Sequence, residues 1–215
     1  AVAGSVDGNT VLVSMRQTTS LTSDFEIFRL RISPARTQQL TSNAVDDTNV
    51  STSADALKVV WEVPVSAKAT IFLRTYEDTN STSNFQESFL SRSEAQRQPS
   101  LSSNGRFIAL MRDLTNGNDQ VLRFDTLTNT YLSIVSSTSS LEHPSVSDDG
   151  NKILYLQNGT TGNDFARLKT LSSNTTQTVV SSPTLEHPFL TADGNFIAYG
   201  ILQNAALKVF TKDLV

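Results

Sequence analysis

The sequence predicts an all-β chain: a β-propeller of about five four-stranded antiparallel blades, the last lacking its outer strand. Three observations carry this: a turn signature that recurs at near-constant spacing, a β-branched residue at a fixed distance after each turn, and no segment of useful length with a 3.6-residue period. The signature reads Ser5-Val6-Asp7-Gly8, Ser53-Ala54-Asp55-Ala56, Ser102-Ser103-Asn104-Gly105, Ser147-Asp148-Asp149-Gly150 and Thr191-Ala192-Asp193-Gly194. Its fourth positions, 8, 56, 105, 150 and 194, are 48, 49, 45 and 44 residues apart, a period that marks propellers and similar arrays. Asp-Gly and Asn-Gly accept the positive φ of a two-residue hairpin. Ala56 departs from the pattern and predicts a different turn in that repeat.

Three residues past the fourth position stand Val11, Val59, Ile108, Ile153 and Ile197. Their neighbours, as in residues 107–111 and 153–156, are mostly apolar, which predicts a strand buried on both faces. A third strand with more alternation follows at residues 26–31, 70–74, 120–124, 165–168 and 207–210. Polar segments at 37–41, 86–91, 131–135 and 177–180 close the first four repeats as outer edges. Each repeat therefore reads as strand, hairpin, buried strand, half-exposed strand and outer strand, one antiparallel blade. The repeats fall at about 1–48, 49–97, 98–142, 143–186 and 187–215 within a single domain, with apolar faces that neighbouring blades must cover. In the fifth repeat the strand Leu207, Lys208, Val209, Phe210, Thr211 and Lys212 has no successor, and such an edge offers backbone donors and acceptors to a strand from a protein partner.

Composition narrows the function classes. The 215 residues are 38% apolar and 18% charged, ordinary values for a globular domain. Seventeen basic and 21 acidic residues, mixed along the chain, give a net charge of −4 and no basic stripe for a phosphate backbone, so no nucleic-acid partner is expected. The absence of cysteine removes disulfides, thiolate zinc sites and cysteine nucleophiles. No apolar run approaches the roughly 20 residues of a membrane-spanning helix, and the start at Ala1 predicts a soluble, processed or excised chain. Abundant Ser, Thr and Asn with few lysines suit a periplasmic, secreted or cell-surface protein.

Residues 143–155, His-Pro-Ser-Val-Ser-Asp-Asp-Gly-Asn-Lys-Ile-Leu-Tyr, and 187–199, His-Pro-Phe-Leu-Thr-Ala-Asp-Gly-Asn-Phe-Ile-Ala-Tyr, resemble the WD-like repeat of TolB propellers. The resemblance covers the whole chain and is clearest in the third to fifth repeats, where Pro99, Pro144 and Pro188 precede the turn by one interval. Val2 and Val50 stand there in the first two. The resemblance implies architecture first. Similar propellers also gate substrate in prolyl-oligopeptidase-like enzymes and form many interaction modules, and the TolB pattern has an α/β domain ahead of a propeller of usually six blades.

The most suggestive site residues are Glu142-His143 and Glu186-His187, equivalent positions in consecutive repeats, expected at the mouth of a central channel. Converging imidazoles and carboxylates there would take a polar ligand or a divalent metal. The alternative is that each caps a turn or bonds the next blade. The loops 116–119 and 161–164 carry oxygen donors but lack the acidic density of a calcium loop, and chain reversal explains them. Asp46, Asp47 and Glu94 have the residue types of a glycosidase acid–base pair, with solvated turns as the plainer reading. Trp61 falls in the buried-strand column and is expected in the core. There is no G-x-S-x-G elbow, no serine partner for either histidine and no phosphate-cradling loop. No catalytic residue, cofactor or metal set is assigned. The expectation is a non-catalytic binding or assembly module outside the cytoplasm, with a ligand-binding or catalytic propeller, or the propeller part of a larger enzyme, as the alternative.

Overall fold

The computed structural model describes residues 2–16, 24–65, 68–78, 84–90, 94–160 and 162–215. Among them every regular element is a strand. The first sheet holds β1 (Val2–Gly4), β2 (Thr10–Arg16), β3 (Phe25–Arg31) and β4 (Arg36–Gln39), and the second β5 (Thr48–Thr52), β6 (Lys58–Val65), β7 (Lys68–Tyr76) and β8 (Phe85–Phe89). The third comprises β9 (Gln96–Leu101), β10 (Phe107–Asp113), β11 (Asp119–Asp125) and β12 (Thr130–Ser137). The fourth comprises β13 (Leu141–Val146), β14 (Lys152–Gln157), β15 (Asp164–Thr170) and β16 (Thr175–Ser182). The last sheet has three strands, β17 (Leu185–Leu190), β18 (Phe196–Gln203) and β19 (Ala206–Asp213). In each sheet the strands run in chain order. The fold is a five-bladed propeller with four four-stranded blades and a last blade of three antiparallel strands.

The chain forms two compact units, Ala1–Gly105 and Arg106–Val215. In the first, Leu12 and Ile27 of blade 1 pack with Val50, Val59 and Trp61 of blade 2, so Trp61 is core, as expected. In the second, Ala109, Met111 and Val121 of blade 3 meet Val146, Ile153 and Tyr155 of blade 4. Leu154, Leu156, Ala166 and Leu168 of blade 4 meet Leu185, Leu190 and Ile197 of blade 5. Blades 2, 4 and 5 thus turn the face that carries the β-branched column, the leading face, toward the blade before, and blades 1, 3 and 4 turn the opposite, trailing face toward the blade after.

The recurring turn differs from the expected two-residue hairpin. The backbone N–H of Ser5 donates to the Thr10 carbonyl at 2.9 Å and that of Gly8 to the Ser5 carbonyl at 3.1 Å, leaving residues 6–9 as the loop. The Ser5 hydroxyl donates to Asp7 Oδ1 at 2.5 Å and accepts the Thr10 N–H at 2.9 Å, while Asp7 accepts the Asn9 N–H at 2.9 Å. The same bonds recur around Ser53, Ser147 and Thr191. Serine or threonine first and Asp or Asn third are therefore required by hydrogen bonding within the turn. Only the fourth position is left-handed, at φ 69° for Gly8, 71° for Gly105, and 69° for both Gly150 and Gly194. Ala56 adopts the same turn at φ 56°, with its N–H on the Ser53 carbonyl at 2.9 Å, so the expected different turn is overturned. The surrounding bonds hold alanine in a conformation it visits rarely.

Successive blades are also clasped by cations. Arg29 reaches the Ala56 carbonyl at 3.4 Å, Lys58 the Gly105 carbonyl at 2.9 Å, Arg123 the Gly150 carbonyl at 2.6 Å and Lys152 the Gly194 carbonyl at 2.7 Å. Each places a charged donor on the fourth turn residue of the next blade, where a charge-assisted bond is stronger than a neutral one.

Candidate functional site

The innermost strands carry a shared irregularity. Asn49, Gln98, His143 and His187 all have positive φ, at 50°, 51°, 49° and 44°. Register shifts between Thr48 and Ser51, Glu142 and Ser145, and Glu186 and Phe189 mark the resulting bulges. These bulges turn His143 and His187 toward each other, with ring centroids 4.3 Å apart and planes at 68°. The structure thus brings the two predicted histidines into contact. Each carboxylate stays with its own blade: Glu142 Oε2 lies 3.7 Å from His143 Nε2 and Glu186 Oε2 lies 3.8 Å from His187 Nε2. Glu142 Oε1 also accepts from Asn158 at 3.0 Å. Among the described residues, no three His, Asp or Glu side chains converge as a metal set.

The other acidic candidates have local roles. Asp119 accepts the Leu141 N–H at 2.8 Å and Asp164 the Gly159 N–H at 3.1 Å, while Gly117 and Gly162 supply the positive φ that reverses the chain; Thr161 lies outside the described residues. Asp46 accepts the Phe25 N–H at 2.8 Å. Asp47 is fully buried, bonded by Asn43 at 2.8 Å, which closes it to a substrate. Burial, with Glu26 nearby as a further cause, pushes its carboxyl up to about 6. Glu26 itself accepts from Thr41 at 2.5 Å. It gave no signal in the sequence because nothing local sets it apart from other strand glutamates.

The fifth blade is the other candidate. Among the described residues β19 pairs only with β18, and each of its side chains is exposed except Phe210, which stacks on Tyr199 at 5.7 Å. Lys212 turns toward blade 4 and donates to the Val179 carbonyl at 2.7 Å. Leu207, Val209 and Thr211 alternate with these and lie on the trailing face, paired with Leu202, Gly200 and Ala198. Phe189, Phe196, Leu202, Leu207 and Val209, all exposed, stand on that single face. The sequence indicated the missing outer strand, whereas this apolar face becomes visible only once pairing fixes which residues share a side.

Neither a protein-family model nor a curated protein matches the sequence. Solved structures do match. TolB from Acinetobacter baumannii superposes with a TM-score of 0.74 at 14% identity, over 99% of this chain and 51% of that one. A putative TolB from Agrobacterium tumefaciens gives 0.73 at 13% identity, over 100% and 76%. The chain has the fold of a TolB propeller. It spans about half the length of the Acinetobacter TolB chain. A chain of a nidogen–laminin complex also matches this TolB-like fold, with a TM-score of 0.67 at 10% identity, over 99% and 74%, and the structural matches include enzymes as well. Propellers host many unrelated functions, so these likenesses carry the fold and leave function to the site.

Proposed function

We propose that this chain is a non-catalytic binding or assembly module acting outside the cytoplasm, and that a protein partner is taken at the open fifth blade, Leu207–Lys212. The observation that carries this reading is the side of that blade that no described residue covers, where a strand edge without a partner among the described residues borders five exposed large apolar side chains. Contiguous exposed apolar surface on a folded chain marks interaction sites, and an open edge adds backbone pairing. The TolB-like fold and its occurrence in a nidogen–laminin complex support a binding role. The cysteine-free composition is compatible with an oxidising compartment. Among the described residues, no helix is long and apolar enough to cross a membrane.

Amide exchange along β19, measured in the pure chain across concentrations and in an extract of the source cells, tests the reading. Slowed exchange in either setting supports it; free exchange in both contradicts it. The contact between His143 and His187 favours a second reading, a polar-ligand or metal site with Glu142 and Glu186. Changing both histidines to alanine lowers metal content or removes a metal-induced rise in melting temperature if that reading holds, and leaves both unchanged if the residues are structural.

A further inference from the structure

We infer that the occupant of the fifth blade is a second copy of this chain, docked head to tail through the leading face of its own first blade; this rests on the binding reading above. Each trailing face presents one equivalent residue to the blade that follows. The partners of the sixth residue after each turn glycine or alanine are Ile27, Ile71, Val121, Ala166 and Val209. The first four are fully buried, whereas Val209 is 73% exposed. The fifth trailing face is therefore built to be covered, and nothing among the described residues covers it.

Its chemistry names the missing element. In blade 3 the ring of Phe107 lies against the turn glycine of blade 4, 2.6 Å from where a Cβ on Gly150 would stand. The equivalent residue in blade 5 is Phe196, 44% exposed. Blade 5 has no cationic clasp, since Phe196 and Thr211 stand where Lys152 and Arg123 stand in blades 4 and 3. Where blade 4 offers the Ser145 hydroxyl to the Leu190 N–H at 3.1 Å, blade 5 has Phe189. This trailing face thus calls for a turn glycine free to receive an aromatic ring, flanked by apolar side chains.

The first blade carries that counterpart. Among the described residues, no atom outside the two chain neighbours lies within 4 Å of where a Cβ on Gly8 would stand, whereas the same point at Gly105, Gly150 and Gly194 is contacted by a side chain of the blade before. Val2 is 72% exposed, while Val50, Pro99, Pro144 and Pro188 at the same step are buried. Val6 is 85% exposed. Val11 is half-buried, while Val59, Ile108, Ile153 and Ile197 are fully buried. Both halves of one further blade-to-blade contact are present on one chain, and a second copy completes it by the geometry already used between blades. Such a contact is heterologous and closes into a ring or extends.

The absence of native cysteine makes the contact testable by cross-linking. The N–H of Val6 donates to the Ala54 carbonyl at 2.9 Å and that of Asp148 to the Ala192 carbonyl at 2.8 Å, so second turn residues of consecutive blades are neighbours. Val6→Cys and Ala192→Cys chains, mixed and treated with a short bis-maleimide, are expected to give a covalent dimer in excess of either variant alone. Val209→Glu in the Ala192→Cys chain, which puts a carboxylate where the other blades bury an apolar side chain, should abolish that product without moving the melting temperature. A chain carrying both cysteines that links only within itself, or no excess dimer at concentrations where sedimentation would detect association, overturns the second copy as occupant. If β19 amides are nevertheless protected in cell extract, the binding reading survives with a different partner.

Discussion

The trailing faces of blades 4 and 5 are built on the same strand pattern and meet opposite fates. Ala166 and Leu168 on β15 are buried under β17 and β18; Val209 and Thr211 on β19, at the equivalent register, are exposed. The difference lies in the presence of a following blade and not in the strand itself, as expected when each repeat contacts only its neighbours. The covered face has become specialised, with a lysine clasp and a serine that bonds the next inner strand. The uncovered face is broad, apolar and without either device.

The largest expected effect separates the two faces directly. Leu154→Ala, under blade 5, should cost about 2–5 kcal/mol in denaturant unfolding, while Val209→Ala should stay within about 0.5 kcal/mol in the dilute chain. Equal losses would mean that the fifth face is covered.

A covered junction also changes ionisation. Asp47, whose carbonyl accepts from Ser14 at 2.6 Å, has its carboxyl raised from 3.8 to about 6, chiefly by burial. Between those values the folded form binds more protons than the unfolded one, so stability should fall as pH rises from about 4 to about 6 and then level off. Asp47→Asn should flatten that slope and stabilise the chain at neutral pH by no more than about 3 kcal/mol, as read from melting curves at several pH values.

The turns sharpen the comparison further. Gly150→Ala and Gly8→Ala carry the same left-handed cost, about 1–2 kcal/mol. Only the former drives a methyl into the Phe107 ring, which should add about 1–3 kcal/mol. Smaller still, Lys152→Met removes the donor to the Gly194 carbonyl and should cost about 1 kcal/mol, while Phe196→Ala in the dilute chain should cost almost nothing.

The periodic Ser-x-Asp-Gly turns and the β-branched column made the blades legible, because a repeated hydrogen-bonding motif and a buried strand both leave local signatures. Ala56 was misleading: the sequence shows the residue at the left-handed position, but not the Ser53–Asp55 bonds that hold it there. The convergence of His143 and His187 was legible from their equivalent repeat positions. The buried Glu26–Asp47 pair was not, since it joins distant residues through a contact that no local pattern encodes. The apolar trailing face of blade 5 was equally hidden, because Phe189, Phe196, Leu202 and Val209 share a side only through strand pairing.

Thiol reactivity at two equivalent positions tests the central claim most directly. With Ala166→Cys and Val209→Cys placed singly in the cysteine-free chain, the cysteine at 209 should label rapidly in dilute solution and the one at 166 only on unfolding, with labelling at 209 slowing as concentration rises. Protection of both at every concentration would show the fifth blade to be closed within its own chain and would contradict an open, partner-binding face.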